Sequence, residues 1–207
     1  FATKEFTGEI IPKEDMEMIA ETARLSPSSF GLEPWKFLIV ENKELIKEIS
    51  EVSWGFQRQA STTSHIVIAL TKAGSEVKYD SDYIRNLWIN TKGVSEEFFE
   101  GIKDVLKNFQ VGKLEADETN EKLLEWSKRQ TYIALGNMMT AAAMREIDSC
   151  AIEGFDKEKV EEILAKKGLL DKEKYELTYL IAFGYRKEEP NRKKSRLPKS
   201  EVIQWVE

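Results

Sequence analysis

The stretch that organises this sequence covers residues 24–40 and reads RLSPSSFGLEPWKFLIV. A helical pattern enters it and ends at Ser26, because the residue before a proline is pushed out of the helical region. Gly31 is free to adopt backbone angles that a side chain forbids. The apolar run over residues 37–40 then predicts a buried strand. The intervening loop offers hydroxyl and backbone N–H groups to a polar ligand, although a plain helix-to-strand connection explains the same local features.

The composition is typical of a globular protein. The 207 residues are 41% hydrophobic and 33% charged, with a formal net charge of -6. This length supplies one well-buried core, so we expect one domain over residues 1–207. No apolar run approaches the ~20 residues that span a bilayer, and a general nucleic-acid binder would be basic. The first six residues lack a targeting pattern, which favours a cytoplasmic location.

The sequence offers few side chains for covalent chemistry. Cys150 is the single cysteine and His65 the single histidine. An internal disulfide is therefore excluded, and no metal site is expected within one chain. Neither residue lies in a nucleophile motif, and the Walker and G-x-G-x-x-G patterns are absent. If the protein is an enzyme, a bound organic cofactor must supply the reactivity.

The loop between Ser26 and the strand at residues 37–40 is called the organising loop. Periodic patterns predict further elements on both sides of it. Helices are predicted over residues 12–25, after a cap at Asn42, within residues 79–110, and over residues 157–167 after a cap at Asp156. The β-branched run over residues 64–70 is typical of a central strand, and another strand is predicted over residues 175–183. Asp148–Ile152 is interpreted as a short link.

The longest predicted helix covers residues 117–146. Its second half, residues 132–144, is apolar nearly all round. A helix that is apolar on every side is expected to be buried on every side. This segment is therefore either a core helix of one chain or a helix that packs on a second subunit.

The C-terminal segment is basic and then apolar. Residues 191–199 are either a solvated linker or an anion site, since Lys and Arg together bind a phosphate through charge-assisted hydrogen bonds. An apolar, strand-like end follows, formed by Val202, Ile203, Trp205 and Val206. The burial that this end requires is easiest to explain if it docks on a second subunit.

Four blocks of the sequence, taken in order, resemble the FMN-dependent nitroreductase family. The first is Thr3-Lys4 with Phe6, and the second is the S-P-S-S-F-G-L-E-P-W-K-F loop over residues 26–37. The third runs from Gln59 to Ser64-His65. The fourth comprises Gln130, Ile152-Glu153-Gly154 and Lys194-Ser195-Arg196-Leu197-Pro198. Each block is weak alone, but their shared order and spacing span nearly the whole chain.

The resemblance implies an α+β fold in which helices flank a central, mostly antiparallel sheet. It also implies an intertwined homodimer with two FMN molecules at the interface, where each C-terminal strand joins the other subunit's sheet. NADH or NADPH would deliver a hydride to FMN, and a nitroaromatic, quinone or similar small molecule would then accept it. No nucleic-acid or membrane partner is implied.

The resemblance also implies a set of cofactor-binding residues. They are Ala2, Thr3, Lys4, Pro27, Ser28, Ser29, Gly31, Phe56, Gln59, Gln130, Ile152, Glu153, Gly154, Lys194 and Arg196. Lys4 would be the cation and Gln59 the hydrogen-bond donor that tune the flavin. Lys194 and Arg196 would bind the phosphate, and the flavin itself would carry the chemistry.

The sequence departs from the family pattern at several positions. Ala2 replaces a hydroxyl residue, and Gly31 and Phe56 stand where many relatives carry asparagine. The arginine that usually opens the first block would precede Phe1. Two alternatives therefore stay open: a flavin, pteridine or enone reductase of the same fold, and a flavin-binding protein without enzymatic activity.

Overall fold

The computed structural model describes residues 1–116 and 119–207, which fold into helices around one antiparallel sheet. In chain order the elements are α1 Lys13–Arg24, β1 Trp35–Val40, α2 Lys43–Glu51, α3 Gln57–Ala60, β2 His65–Lys72, α4 Asp82–Asn86, α5 Glu96–Gly112, α6 Glu121–Met144, β3 Asp148–Ile152, α7 Lys157–Lys166, β4 Tyr175–Gly184 and α8 Lys199–Val202. A 3₁₀ turn covers Ser29–Gly31, and a π-helical turn covers Leu87–Thr91. The expected α+β class with an antiparallel sheet is confirmed.

The sheet has the strand order β1-β2-β4-β3, and each neighbouring pair is antiparallel. All eight residues of β2 are buried, which confirms the predicted central strand. Apolar side chains line up across the four strands, with Leu38 opposite Ile68, Ile68 opposite Leu180, and Leu180 opposite Ile152. This register leaves β1 and β3 as the two edges.

Helices cover both faces of the sheet because successive side chains of a strand point to opposite sides. Ile66 and Ile68 belong to a core that includes residues of α2 and α7. Val67 and Ala69 belong to a second core with α1 and α6. Fully burying a valine or isoleucine side chain contributes about 1.5–3 kcal/mol. The second core therefore holds α1 and α6 on one face of the sheet, and the first holds α2 and α7 on the other.

The predicted helix caps at Asn42 and Asp156 are confirmed. The Asn42 side chain accepts a hydrogen bond from the Leu45 N–H at 2.8 Å. The Asp156 side chain accepts one from the Lys159 N–H at 3.2 Å. Each cap provides a partner for an N–H group that the first helical turn leaves unpaired.

The expectation of a short link at Asp148–Ile152 is wrong, because this segment is the edge strand β3 and pairs with β4. Its mixed residues lack the β-branched run that indicated the other strands, and pairing with a buried neighbour decides its conformation. The apolar end also differs from the strand-like interpretation. Within this chain, α8 covers Lys199–Val202, and residues 203–207 have no regular secondary structure.

Helix α6 is the longest helix of the described residues, and it is open on one side. The start predicted at residue 117 lies outside those residues, and α6 runs from Glu121 to Met144. Ile133 is 40% exposed and Met144 81%, and Gly136 and Ala143 between them are exposed too. The expected burial on every side is therefore not met within one chain.

No helix within residues 1–116 and 119–207 is both long enough and apolar enough to cross a bilayer.

Candidate flavin site

Lys4 and Gln59 meet on the sulfur of Cys150. The Lys4 ammonium lies 3.3 Å from Cys150 Sγ, and Gln59 Nε2 lies 3.4 Å from the same atom. The N-terminal segment reaches this point because it runs beside β3, where the Thr3 N–H donates to the Ser149 carbonyl at 3.2 Å. Cys150 is buried and Lys4 is exposed. The two residues expected to tune a flavin therefore form one cluster, with a cation at the surface and an amide behind it.

Gln59 carries an unpaired oxygen inside this cluster. Its side-chain nitrogen also donates to the Gly55 carbonyl at 3.3 Å. The residue is 1% exposed, and its Oε1 has no hydrogen-bond partner among the described residues. Leaving a buried acceptor unpaired costs about 1–3 kcal/mol. The sequence suggested a donor here, but the nitrogen is occupied and the free group is an acceptor, which fits a ligand N–H such as that of a flavin pyrimidine ring.

A basic cleft of about 410 Å³ adjoins Lys4. Its lining comprises Phe1, Ala2, Thr3, Lys4, Glu5, Arg58, Arg186, Lys187, Glu188, Pro190, Asn191 and Arg192. Two of these cations have carboxylate partners, since Lys187 pairs with Glu5 and Arg186 with Asp148. The hydrogen bond from Lys187 lowers the pKa of Glu5. Lys4, together with Arg58 and Arg192, gives the basic cleft the charge that a phosphate requires.

Arg58 and Arg192 were missed at the sequence level. Arg58 precedes Gln59, so its place beside the third family block was the available signal. Arg192 lies in the basic segment over residues 191–199, but the K-x-R pattern predicted Lys194 and Arg196 as the phosphate ligands. The fold brings both arginines into one cleft with the N-terminal segment.

Lys194 and Arg196, the expected phosphate ligands, are placed differently. Lys194 lines a neighbouring cleft of about 630 Å³ that also includes Phe1 and Arg186. Its ammonium is 5.7 Å from the centre of the Phe1 ring. Arg196 is exposed and donates to the carbonyl of Ser195 at 2.6 Å. Within one chain, the structure therefore brings Lys194 to the N-terminal segment and leaves Arg196 outside both clefts.

Arg186 lines both clefts, and its partner Asp148 lines the larger one. Arg186 Nε and Nη2 lie 2.9 and 2.6 Å from Asp148 Oδ1, and the Arg186 backbone N–H donates to Oδ2 at 2.9 Å. This hydrogen bonding raises the pKa of Arg186. The pair ties the segment after β4 to the start of the edge strand β3, so both clefts lie at this edge of the sheet.

The turn after β3 packs against the turn before α3 through two glycines, Gly154 and Gly55. The Gly55 N–H donates to the Gly154 carbonyl at 2.7 Å. A Cβ atom on Gly154 would lie 2.8 Å from Trp54 Nε1 and 3.1 Å from the Gly55 Cα. Only a residue without a side chain fits this approach. Ile152 is buried before the turn, and Phe56 is 0% exposed, so the Phe56 ring lies in the core and not in a cleft.

Glu153 in the same turn accepts a hydrogen bond from the hydroxyl of Tyr132 on α6. Burial raises the pKa of the Tyr132 hydroxyl, and the bond to Glu153 raises it further. Tyr132 therefore remains a donor at neutral pH. Its ring also packs on Tyr179 of β4, with ring centres 5.1 Å apart. Sequence reasoning missed Tyr132 because it lies among apolar residues of a helix.

The organising loop is anchored on α6. The Ser29 N–H donates to Gln130 Oε1 at 2.9 Å, and the Glu33 N–H donates to Ser28 Oγ at 2.9 Å. Phe30, Gly31 and Glu33 have left-handed φ angles of 57°, 60° and 48°. Such angles in non-glycine residues are held by surrounding contacts. Contacts with the rest of the chain therefore fix the conformation of the organising loop. Pro27, at the start of the loop, is exposed.

The structure does not bring this loop to the Lys4–Gln59 cluster of the same chain. The loop precedes β1 at one edge of the sheet, and the cluster adjoins β3 at the other edge. Three inter-strand spacings separate the edges, which is about 14 Å. The expected residues thus form two groups, one around Ser29 and Gln130 and one around Lys4, Gln59 and Gly154.

The sequence model described as "Nitroreductase family" matches residues 1–185. This chain belongs to the nitroreductase family. A relative from Bacillus subtilis (strain 168), named "Putative NAD(P)H nitroreductase YfkO", is 43% identical over 206 residues, which cover 99% of this chain and 93% of YfkO. The family suggested by the four sequence blocks is confirmed.

Solved structures show that this nitroreductase-family chain has the nitroreductase fold. A protein from Exiguobacterium sibiricum 255-15, described as a "putative nitroreductase in complex with FMN", superposes with a TM-score of 0.73 at 21% identity, covering 100% of this chain and 93% of that one. CLA-ER, described as a gut-bacterial enone reductase, superposes with a TM-score of 0.75 at 22% identity and the same coverages. At these identities the likeness establishes the fold.

Proposed function

We propose that this nitroreductase-family protein is an FMN-dependent oxidoreductase that uses NADH or NADPH to reduce nitroaromatic, quinone or similar acceptors in alternating half-reactions. The observation that carries the proposal is the Lys4–Gln59 cluster beside the basic cleft. It supplies a surface cation, an unpaired buried carbonyl oxygen and an anion site in one region. These are the groups that the ring and the phosphate of FMN require. The name of YfkO and the FMN complex among the solved structures also support it.

Bound FMN would supply the redox chemistry that this chain's own side chains lack. The Lys4 ammonium would stabilise negative charge on the reduced ring. Gln59 Oε1 would accept a hydrogen bond from a ring N–H, which would remove the cost of its unpaired burial. Arg58, Arg192 and Lys194 would hold the phosphate, and Arg196, which lies outside both clefts in one chain, would join them when the tail is exchanged in the homodimer.

The proposal includes a homodimer, because three features remain incomplete in one chain. The apolar face of α6 at Ile133 and Met144 is open, and so is the tail, where Trp205 is 80% exposed. The organising loop also lies on the far edge of the sheet from the Lys4–Gln59 cluster. A second copy completes all three if its loop covers the cluster, its α6 packs on α6, and the tails exchange as added strands. Each copy of residues 1–207 then acts as one FMN-binding domain.

The direct test is the visible spectrum of the purified protein and its response to reduced nicotinamide. The expected protein is yellow, and anaerobic addition of NADH or NADPH bleaches it. Addition of a nitroaromatic or a quinone then restores the colour. A colourless protein that does not bind added FMN contradicts the cofactor assignment.

The same experiment separates the alternative functions. A yellow protein that does not bleach is a flavin-binding protein without this activity. If the reduced protein reacts much faster with an enone, a free flavin or a pteridine than with nitroaromatics and quinones, the assigned acceptor class is wrong and the cofactor assignment stands.

A further inference from the structure

The carbonyl of Gly31, at the tip of the organising loop, is bonded to a lysine from outside the loop. Lys92 Nζ lies 2.8 Å from the Gly31 oxygen. A Cβ atom built on Gly31 would lie 2.7 Å from the same nitrogen. The ammonium therefore occupies the space that any larger residue at position 31 would claim, and the loop presents a positive charge at this point.

Local structure fixes the position of Lys92 while leaving its ammonium accessible. Lys92 follows directly after the π-helical turn Leu87–Thr91, and π-helical turns are frequent at functional sites. The ammonium also lies 4.8 Å from the centre of the Trp88 ring. Lys92 is an exposed residue. It thus combines a defined position with contact to solvent.

The ammonium has donors to spare. A lysine carries three N–H donors, and within the described part of the chain its hydrogen-bond acceptor is the Gly31 carbonyl. The Arg24 guanidinium, at the start of the same stretch, is instead paired with Glu21 at 2.6 Å. Lys92 therefore supplies available positive charge at the loop tip, where two N–H groups can bind oxygen atoms of a small molecule.

We propose that Lys92 is a specificity-determining residue, whose ammonium binds an anionic oxygen group, such as a carboxylate, on the small molecule that exchanges electrons with FMN. The inference rests on the proposed function, since it requires the loop to border a bound flavin. It predicts a preference for acceptors that carry a negative charge. The preference is expected to be about three- to tenfold in binding affinity. This is the size of contribution expected from an ion pair or a charged hydrogen bond that is open to solvent.

The test compares 4-nitrobenzoate with 4-nitrobenzamide, which differ in the carboxylate charge. Binding is measured on the oxidised protein, without electron donor, from the perturbation of the flavin spectrum. Lys92→Met is expected to weaken 4-nitrobenzoate binding by about three- to tenfold and 4-nitrobenzamide binding by less than twofold. Lys92→Arg should retain the preference, and added salt should reduce it in the wild type. KM for the two acceptors should follow the same pattern.

The matched control is Lys47→Met, which removes an exposed lysine from α2 on the other face of the sheet. This variant is expected to bind both probes as tightly as the wild type does. The inference is overturned if Lys92→Met weakens the binding of both probes equally, or the binding of neither. In either case the wild type still binds FMN and is still bleached by reduced nicotinamide, so the proposed function stands. If the wild type does not bind FMN, the proposed function fails first, and that result is seen before any variant is compared.

Discussion

The side-chain oxygen of Gln130 accepts a hydrogen bond from the backbone N–H of Ser29 at 2.9 Å, although 101 positions separate the two residues. This bond fastens the organising loop to α6. Gln130 Nε2 in turn donates to the Trp126 carbonyl one helical turn earlier, at 3.2 Å. Helix α6 therefore holds the Gln130 amide in the orientation that fixes the organising loop. This loop is proposed to border the flavin.

Gln130→Ala should loosen this loop and destabilise the fold. The Ser29 N–H loses its acceptor, which costs about 1 kcal/mol, and for a chain of this size that lowers Tm by about 2–4 °C. Gln130→Glu is the matched control, since its carboxylate can still accept the bond. Thermal unfolding and limited proteolysis of the loop measure the effect. Equal Tm values for wild type and Gln130→Ala would show that the bond does not hold the loop.

Phosphate recognition predicts a difference between FMN and riboflavin. Alanine at Lys194 or Arg196 should weaken FMN binding about ten- to a hundredfold, because a hydrogen bond to a charged group contributes about 1.5–3 kcal/mol. Arg58→Ala should act similarly, since Arg58 lines the basic cleft. Riboflavin, which has no phosphate, should lose much less. Titration of each variant with both flavins measures this.

Lys199→Ala is the control for those titrations, because it removes a cation of the same basic segment that lines neither cleft. It should leave both flavins unaffected. An equal loss for FMN and riboflavin in the test variants would mean that these residues act through folding or through the dimer. A loss at Lys194 without one at Arg196 would match the arrangement seen within one chain.

Removal of the residues after Arg196 should weaken the homodimer and lower solubility. The deletion removes the exposed apolar residues of the tail, and it uncovers the sheet edge and apolar surface that the tail is proposed to cover on the partner. Sedimentation velocity should show a shift toward monomer at micromolar concentration. A truncated protein that stays dimeric and fully flavinated would contradict tail exchange.

A charge on the open face of α6 should also weaken the homodimer, without shortening the chain. Met144→Glu places a carboxylate on a residue that is 81% exposed in one chain, and a dimer interface would bury it. Val105→Glu is the control, since Val105 is 54% exposed on α5. The control should remain dimeric. Dimers of both variants would exclude this face as the interface.

Stability should fall as the pH rises above about 10. Burial raises the pKa of Tyr83, Tyr132 and Tyr179 above the ordinary value of 10.0. In this range the unfolded chain binds fewer protons than the folded chain, so the free energy of unfolding decreases with pH. The contribution is fully present below pH 10 and is lost toward the folded pKa. Urea unfolding at pH 8, 10 and 11 measures the slope.

Tyr132→Phe provides the comparison for this slope. The variant lacks one of the shifted hydroxyls and the bond to Glu153, so its stability should depend less on pH between 10 and 11. The same decrease in both proteins would mean that Tyr132 does not titrate differently in the folded state.

Local patterns determined the family and most elements of this protein. The order of Thr3-Lys4, the Ser26–Gly31 loop, Gln59 and Glu153-Gly154 indicated the nitroreductase family, and the caps at Asn42 and Asp156 marked helix starts. The β-branched run of β2 indicated the central strand because every one of its side chains is buried. Such signals are readable because they depend on neighbouring residues along the chain.

Only the tertiary structure decided the contacts between distant segments. Asp148–Ile152 became an edge strand because β4 offered a buried partner, and Cys150 joined Lys4 and Gln59 because the N-terminal segment runs beside that strand. The free atom of Gln59 became an acceptor since Gly55 and Cys150 occupy its nitrogen. Lys92 reached Gly31 across 61 positions. No local pattern encodes these pairings, because packing of the whole chain sets the distances.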